Sequence, residues 1–147
     1  MPAFSKSSQK KLSTCHVDLQ ALFNEVIQIV DCTIIFGNRS IEEQFELYKQ
    51  GRKLVSGVWV IENKGKIVTY LDGVNKKSRH NYLPSQAVDV APYPIDWQNK
   101  QRFIEFGHFV LDRADKLWKE GKITHRVEWG GGWVSFPDLP HYQIEII

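Results

Sequence analysis

His80 in Ser78-Arg79-His80, Asp89 in Ala87-Val88-Asp89 and His141 at the end of Asp138-Leu139-Pro140-His141 are residue types from which a chain can build a catalytic zinc site. Neutral imidazole and carboxylate are good zinc donors, and three protein ligands leave a fourth position for water, whereas a structural site is closed by four. Zinc held in this way lowers the pKa of water to about 7 and makes a nucleophile available near neutral pH. Asp138 is a further carboxylate, placed to carry the protons of a hydrolysis. Each residue alone has a plainer reading. A lone His is usually a surface or hydrogen-bonded residue, a strand Asp can satisfy neighbouring amides, and an Asp in a Pro-rich loop often bonds its own backbone. Together they say more, because an Asp inside Ala87-Val88-Asp89-Val90-Ala91 needs a positive or hydrogen-bonding partner to offset its desolvation. A metal answers that need.

The elements that must position these groups follow from the apolar pattern. Val17, Leu19, Leu22, Phe23, Val26, Ile27 and Val30 recur at helical spacing and predict an amphipathic helix over 17–30, with Ser13 or Thr14 as N-cap. The β-branched run 33–36 stops at Gly37 and reads as a buried strand. Ser40 and Glu43 form a capping box for a second helix that Gly51 closes, with Ile41, Phe45 and Tyr48 on one side. Strands over 58–61 and 66–70 flank Asn63-Lys64-Gly65 as a hairpin. Residues 87–91 read as a core strand ended by Pro92 and Pro94. A third long helix spans 101–120, with Phe103, Phe106, Phe109, Val110, Ala114, Leu117 and Trp118 as its apolar face and Gly121 as its stop. Strands over 126–129 and 141–146 close the chain. This order predicts an α+β fold, a small antiparallel sheet flanked by helices. Adjacent antiparallel strands would then bring His80, Asp89 and His141 together. Asp138 precedes His141 by three positions and would face away from it on a straight strand, so Pro137 and Pro140 must supply a bend.

Composition narrows the function classes. A chain of 147 residues suits one domain, and 42% hydrophobic with 24% charged residues is ordinary globular usage. The formal charge of +2 and pI near 8.5, without a basic run or a nucleic-acid motif, disfavour nucleic acid as a partner. A slightly cationic surface suits an anionic polymer such as a cell wall. Cys15 and Cys32 are too few for a disulfide framework or a Cys-rich metal site and are expected to be free, partly buried thiols. The first twelve residues are rich in Ser and Lys without the apolar core of a secretory signal, and no stretch is long enough to cross a bilayer. Cytoplasmic synthesis without a signal peptide and no membrane insertion are therefore expected.

At the residues quoted above the chain resembles the D-alanyl-D-alanine and L-alanyl-D-glutamate metallopeptidases, whose fold is shared with lysostaphin-type peptidases and the hedgehog signalling domain. The resemblance rests on Ser78-x-His80 leading to Ala87-x-Asp89, on Trp129-Gly130-Gly131 and on Asp138-x-x-His141, and it extends from about Thr14 to the end. Pro84-Ser85-Gln86-Ala87-Val88-Asp89-Val90-Ala91-Pro92-Tyr93 and Gly37-Asn38-Arg39 look most similar to the phage and bacterial endopeptidase branch. The resemblance implies a hedgehog/DD-peptidase-like fold and one catalytic Zn2+ held by His80, Asp89 and His141. It makes Asp138 the catalytic carboxylate and Arg39 the group that steadies substrate or the charge on the tetrahedral oxygen. Arg39 also has a plainer reading, as a surface partner of Glu42 or Glu43.

Ser78 is expected to orient His80 or its loop, and Trp129 and Trp133 to wall the cleft or to fill ordinary core. His16, His108 and His125 match no family role and are expected to be structural or exposed. Glu128 does not match the family base. Four departures stand out: a longer link between His80 and Asp89, Gln143 where many relatives have Glu, Gly132 where many have an acidic residue, and an enlarged segment over 55–66 read as a flap over substrate. The implied reaction is hydrolysis of the L-alanyl-D-glutamate bond of peptidoglycan by a single zinc metallopeptidase domain. It would act as a monomeric, bacteriolytic phage endolysin with no separate cell-wall-binding domain, reaching the cell wall after holin-type release or envelope disruption. A D-alanyl-D-alanine carboxypeptidase would use the same metal site. A non-catalytic, zinc-stabilised cell-wall-binding module is the alternative from another class, against which the intact Asp138 speaks.

Overall fold

The computed structural model describes residues 2–146. Its central feature is one four-stranded antiparallel sheet in the order β1 (Cys32–Phe36), β4 (Ala87–Pro92), β6 (His141–Ile144), β5 (Val127–Trp129). Successive side chains of a strand point to opposite faces, and here the two faces differ in chemistry. Val88 and Val90 of β4, Tyr142 and Ile144 of β6 and Val127 and Trp129 of β5 belong to the hydrophobic core. Against them pack Leu19, Leu22, Phe23 and Val26 of helix α2 (Val17–Val26) and Phe106, Val110, Ala114 and Leu117 of helix α4 (Lys100–Lys119). Full burial of each such Leu, Val or Phe contributes about 1.5–3 kcal/mol. The intervening positions, Asp89, His141, Gln143 and Glu128, therefore share the other face. Register pairs Asp89 with His141 and Glu128 with Gln143.

The α+β class and the small antiparallel sheet agree with expectation, and α4 lies within one residue of its predicted span. Helix α3 (Ile41–Lys49) carries the Ser40–Glu43 capping box in both directions. Its one fully buried side chain is Gln44, however, and Ile41 is 42% exposed. A short helix α1 (Lys6–Leu12), capped by Ser5, is absent from the sequence-based expectation because only Ser8 and Leu12 of it are buried and it has almost no apolar periodicity. The cap of α2 is His16 rather than Ser13 or Thr14, its Nδ1 accepting the Asp18 amide at 3.0 Å.

The middle hairpin is also different. It joins β2 (Arg52–Val55) to β3 (Val58–Ile61), and residues 66–70 form no strand. Ser56 and Gly57 both have positive φ, 49° and 79°, which makes the two-residue turn whose twist suits a hairpin. Asn63 instead caps a single 3-10 turn, its side chain accepting the Gly65 amide at 3.0 Å. The Ser-Gly dipeptide was the available signal, masked because Arg52 and Lys53 interrupt the apolar run. Cys15 and Cys32 are free and buried, with both thiols pushed up to about 12, chiefly by desolvation.

Candidate metal centre and its cleft

His80 sits in a 3-10 turn, Arg79–Asn81, that is held at both ends. Ser78 Oγ accepts the His80 amide at 3.2 Å, and the Asn81 side chain accepts the Ser78 amide at 2.8 Å. The turn is fastened to the 37–39 loop: the Arg39 amide donates to the His80 carbonyl at 2.8 Å, and the Asn81 amide group donates to the Arg39 carbonyl at 2.9 Å. His80 Nδ1 lies 2.8 Å from the Gly37 carbonyl. A carbonyl only accepts, so Nδ1 carries the proton and Nε2 keeps a lone pair. Gly37 seats this loop against the end of α1, where a Cβ would collide with the Lys11 carbonyl and Thr14 Oγ1.

That Nε2 lies 3.2 Å from Asp89 Oδ1, and His141 Nδ1 lies 3.3 Å from the same oxygen. His141 Nε2 faces away, 2.8 Å from Gln143 Oε1. The three donor atoms lie within 4.8 Å of one another, and all three residues are buried. A zinc ion with bonds of about 2.0–2.1 Å spaces tetrahedral ligand atoms about 3.3 Å apart. The two measured edges match that spacing, and both outward-facing imidazole nitrogens are engaged, leaving lone pairs turned inward. The residues present therefore fit a divalent cation. Without one, burial pushes the Asp89 carboxyl up, but His80 and His141 outweigh it and hold the carboxyl well below the ordinary range. Burial likewise depresses His141, and its hydrogen bond and charge interaction with Asp89 overturn that to raise it.

The second Asp89 oxygen is held by Arg39, whose Nη2 lies 3.3 Å from Oδ2. Arg39 is 7% exposed, lies 4.4 Å over the Phe36 ring and donates from Nη1 to Gln44 Oε1 at 2.8 Å. Its reading as a surface partner of Glu42 or Glu43 is thus overturned. Gln44, which motif reasoning passed over, is fully buried and links Arg39 to the Leu71 carbonyl, donating to it at 2.8 Å.

Asp138 arrives on the loop between β5 and β6. Its amide donates to the Gly130 carbonyl at 3.0 Å, and the His141 amide donates back to the Asp138 carbonyl at 3.2 Å. This turn puts Asp138 Oδ2 3.8 Å from His141 Nδ1, on the side from which a straight strand would have turned it away. Burial first, and then the charge of Asp89, raise the Asp138 carboxyl above its ordinary value.

These groups open into a cleft of about 600 Å³ that also takes in Lys77, Arg79, Trp133, Tyr70 and Phe136. Trp133 lies 5.0 Å from the His141 ring, centroid to centroid. Trp129 does not line the cleft: it is core, with its Nε1–H donating to the Leu139 carbonyl at 2.7 Å, and so it anchors the loop that carries Asp138. Nor does any residue of the β2–β3 hairpin line the cleft. Trp59 packs the hairpin against Phe45 of α3, and the wall expected from 55–66 is formed by residues 68–71.

His16, Asp18 and His125 form a second compact group, of opposite character. Asp18 Oδ2 accepts the amides of Thr124 and His125, the Thr124 hydroxyl and His125 Nδ1, all within 3.0 Å. Its lone pairs face donors rather than one another. The group is a staple between the start of α2 and the 124–125 turn.

No family model matches the chain. The peptidoglycan L-alanyl-D-glutamate endopeptidase CwlK of Bacillus subtilis (strain 168) is 37% identical over 120 residues, which are 78% of this chain and 61% of that protein. The chain thus spans about three-fifths of that relative's length. The crystal structure of the Serratia marcescens L-Ala D-Glu endopeptidase ChiX superposes with a TM-score of 0.67 over 98% of this chain and 91% of that one, at 22% identity, a likeness of fold. Sequence and fold together make the chain a member of the L-alanyl-D-glutamate / D-alanyl-D-alanine metallopeptidase family.

Proposed function

We propose that the chain is a zinc-dependent peptidoglycan hydrolase that cleaves the L-alanyl-D-glutamate bond of the stem peptide. The observation that carries this reading is the inward convergence of His80 Nε2, Asp89 Oδ1 and His141 Nδ1, with a partly exposed carboxylate, Asp138, beside them in an open cleft. The L-alanyl-D-glutamate endopeptidase activity of CwlK and ChiX supports the choice of bond. Lys77 and Arg79 add positive charge to the cleft, which suits a stem peptide bearing free carboxylates.

In this reading His80, Asp89 and His141 hold the ion. When bound, zinc supplies the charge that acidifies water and polarises a carbonyl near neutral pH. Asp138 takes a proton from the attacking water and returns one to the departing amine, work for which a carboxyl raised above its ordinary value is suited. Arg39 holds Asp89 by its second oxygen and so aims the first one at the site, and from its place in the cleft lining it steadies substrate or the charge developing on the tetrahedral oxygen. Gly37 fixes His80, and Trp133 walls the cleft beside His141. Action as a lytic enzyme of phage type, reaching the wall after holin-type release, belongs to the same proposal.

Mass spectrometry of muropeptides after digestion, with and without chelator, tests it. A newly exposed D-glutamate amine that disappears with chelator is expected. Release of free D-alanine would replace the endopeptidase by a carboxypeptidase, and cleavage indifferent to chelator would remove the metal.

A further inference from the structure

The two imidazoles of the donor set are aimed by different means. His80 donates from Nδ1 to the Gly37 carbonyl, a backbone group that can only accept. His141 faces the side-chain amide of Gln143, which offers an acceptor at one end and donors at the other. The imidazole cannot choose its own tautomer against such a partner, because a reversed amide would donate to Nε2 and favour the proton on Nδ1, where it would point at Asp89. Something must fix the amide.

Glu128 is the cross-strand partner of Gln143 on the site face of the sheet, and Gln143 Nε2 lies 2.8 Å from Glu128 Oε2. A carboxylate only accepts, so the Gln143 NH2 turns to Glu128 and its oxygen to His141. His141 Nε2 must then be the donor across its 2.8 Å contact, and Nδ1 is left with its lone pair toward the donor set. We propose that Glu128 and Gln143 are positioning residues: Glu128 orients the Gln143 amide, and the amide fixes His141 in the tautomer that presents Nδ1 to a metal. Gln143 is 9% exposed, so water does not readily substitute for either partner. The inference rests on the reading of His141 as a metal ligand, and hydrogen-bond partners of metal-bound His commonly affect affinity 10- to 100-fold.

The experiment uses the full chain, with zinc affinity measured by competition against a chromophoric chelator. Glu128→Gln keeps shape but lets both amides turn, and it is expected to weaken zinc about 10-fold or more. The exchange variant Glu128→Gln/Gln143→Glu puts an acceptor-only group directly against His141 and a donor behind it, and is expected to regain most of the lost affinity. Unchanged affinity in Glu128→Gln, or an exchange variant no tighter than the single one, overturns the proposal. Long-range 15N–1H spectra of the chelator-treated chain, at a pH where His141 is neutral, separate this from the metal reading itself. The parent is expected to show the Nε2–H form of His141, and Glu128→Gln a mixture; a single unchanged tautomer in both refutes the positioning role. Were the parent to bind no zinc while these spectra came out as expected, the metal assignment would fall and the positioning pair would stand.

Discussion

Replacing Asp138 with Asn separates holding a metal from using it. The Asp138 carboxylate lies 3.8 Å from His141 Nδ1, beyond hydrogen-bond distance, and the turn that carries it is built from backbone hydrogen bonds that Asn preserves. Zinc affinity is therefore expected to stay close to that of the parent. Loss of a positioned acid-base group typically costs about 10²- to 10⁴-fold in rate, equivalent at 1.36 kcal/mol per decade to about 3–5 kcal/mol of transition-state stabilisation. Stability should move the other way. Burial and the neighbouring charge of Asp89 raise the Asp138 carboxyl above its unfolded value, so in zinc-free protein the ionised group opposes folding at neutral pH. That opposition fades as pH falls through the raised value and is absent below the unfolded one. The Asn variant should thus melt above the parent at pH 7 in chelator, with the difference narrowing under acid. Muropeptide turnover, zinc stoichiometry and thermal melts at both pH values check the three outcomes. Near-parent turnover with full zinc loading would refute the proton-carrier role, and a zinc-free variant that melts below the parent at pH 7 would refute the electrostatic argument.

His141→Ala should abolish stoichiometric zinc binding and the zinc-dependent rise in melting temperature together, as metal dialysis and calorimetry would show, because binding energy at such sites is coupled to folding. Gly37→Ala should lower stability by about 1–3 kcal/mol through overpacking against the Lys11 carbonyl and Thr14, and should weaken zinc by disturbing the acceptor of His80; urea titration and chelator competition report the two effects. Burial works to raise the Asp18 carboxyl, but hydrogen bonds from His125 and Thr124 hold it below its ordinary value. Its stabilising contribution is therefore full above the unfolded carboxylate pKa and is lost as pH falls through the depressed folded one. Asp18→Asn should accordingly cost about 1–3 kcal/mol at pH 7 and progressively less in acid; an equal cost at pH 7 and pH 3 in urea melts would contradict this.

What could be read from the chain was what leaves a local or chemical trace. Alternation in Val88-Asp89-Val90 marks a strand with one polar position. Ser40 with Glu43 marks a helix start, and the apolar stripe of α4 marks its length. The coming together of His80, Asp89 and His141 is legible because a carboxylate in an apolar run calls for a positive or hydrogen-bonding partner, and the family resemblance supplies the two imidazoles. The misses are groups whose partners are distant in sequence. Gln44 gives no sign that it will grip Arg39 and Leu71, and Gln143 none that Glu128 stands behind it. Trp129 and Trp133 look alike around a Gly-rich bend, and strand parity assigns the first to the core while the chain beyond β5 carries the second to the cleft. Asn63-Lys64-Gly65 carries turn chemistry and so suggests the hairpin there, but the backbone makes that stretch a 3-10 turn and places the hairpin turn at Ser56-Gly57.

Two of the three inward donors stand on paired central strands, whereas Asp138, Trp133 and Phe136 ride on the loop anchored by Trp129. In the proposed reading, metal binding thus draws mainly on the sheet, and proton transfer and cleft lining draw on the loop. If the proposed metal site is right, randomising 133–137 should alter cleavage while leaving zinc affinity near that of the parent, because the loop can be redrawn without touching His80, Asp89 or His141.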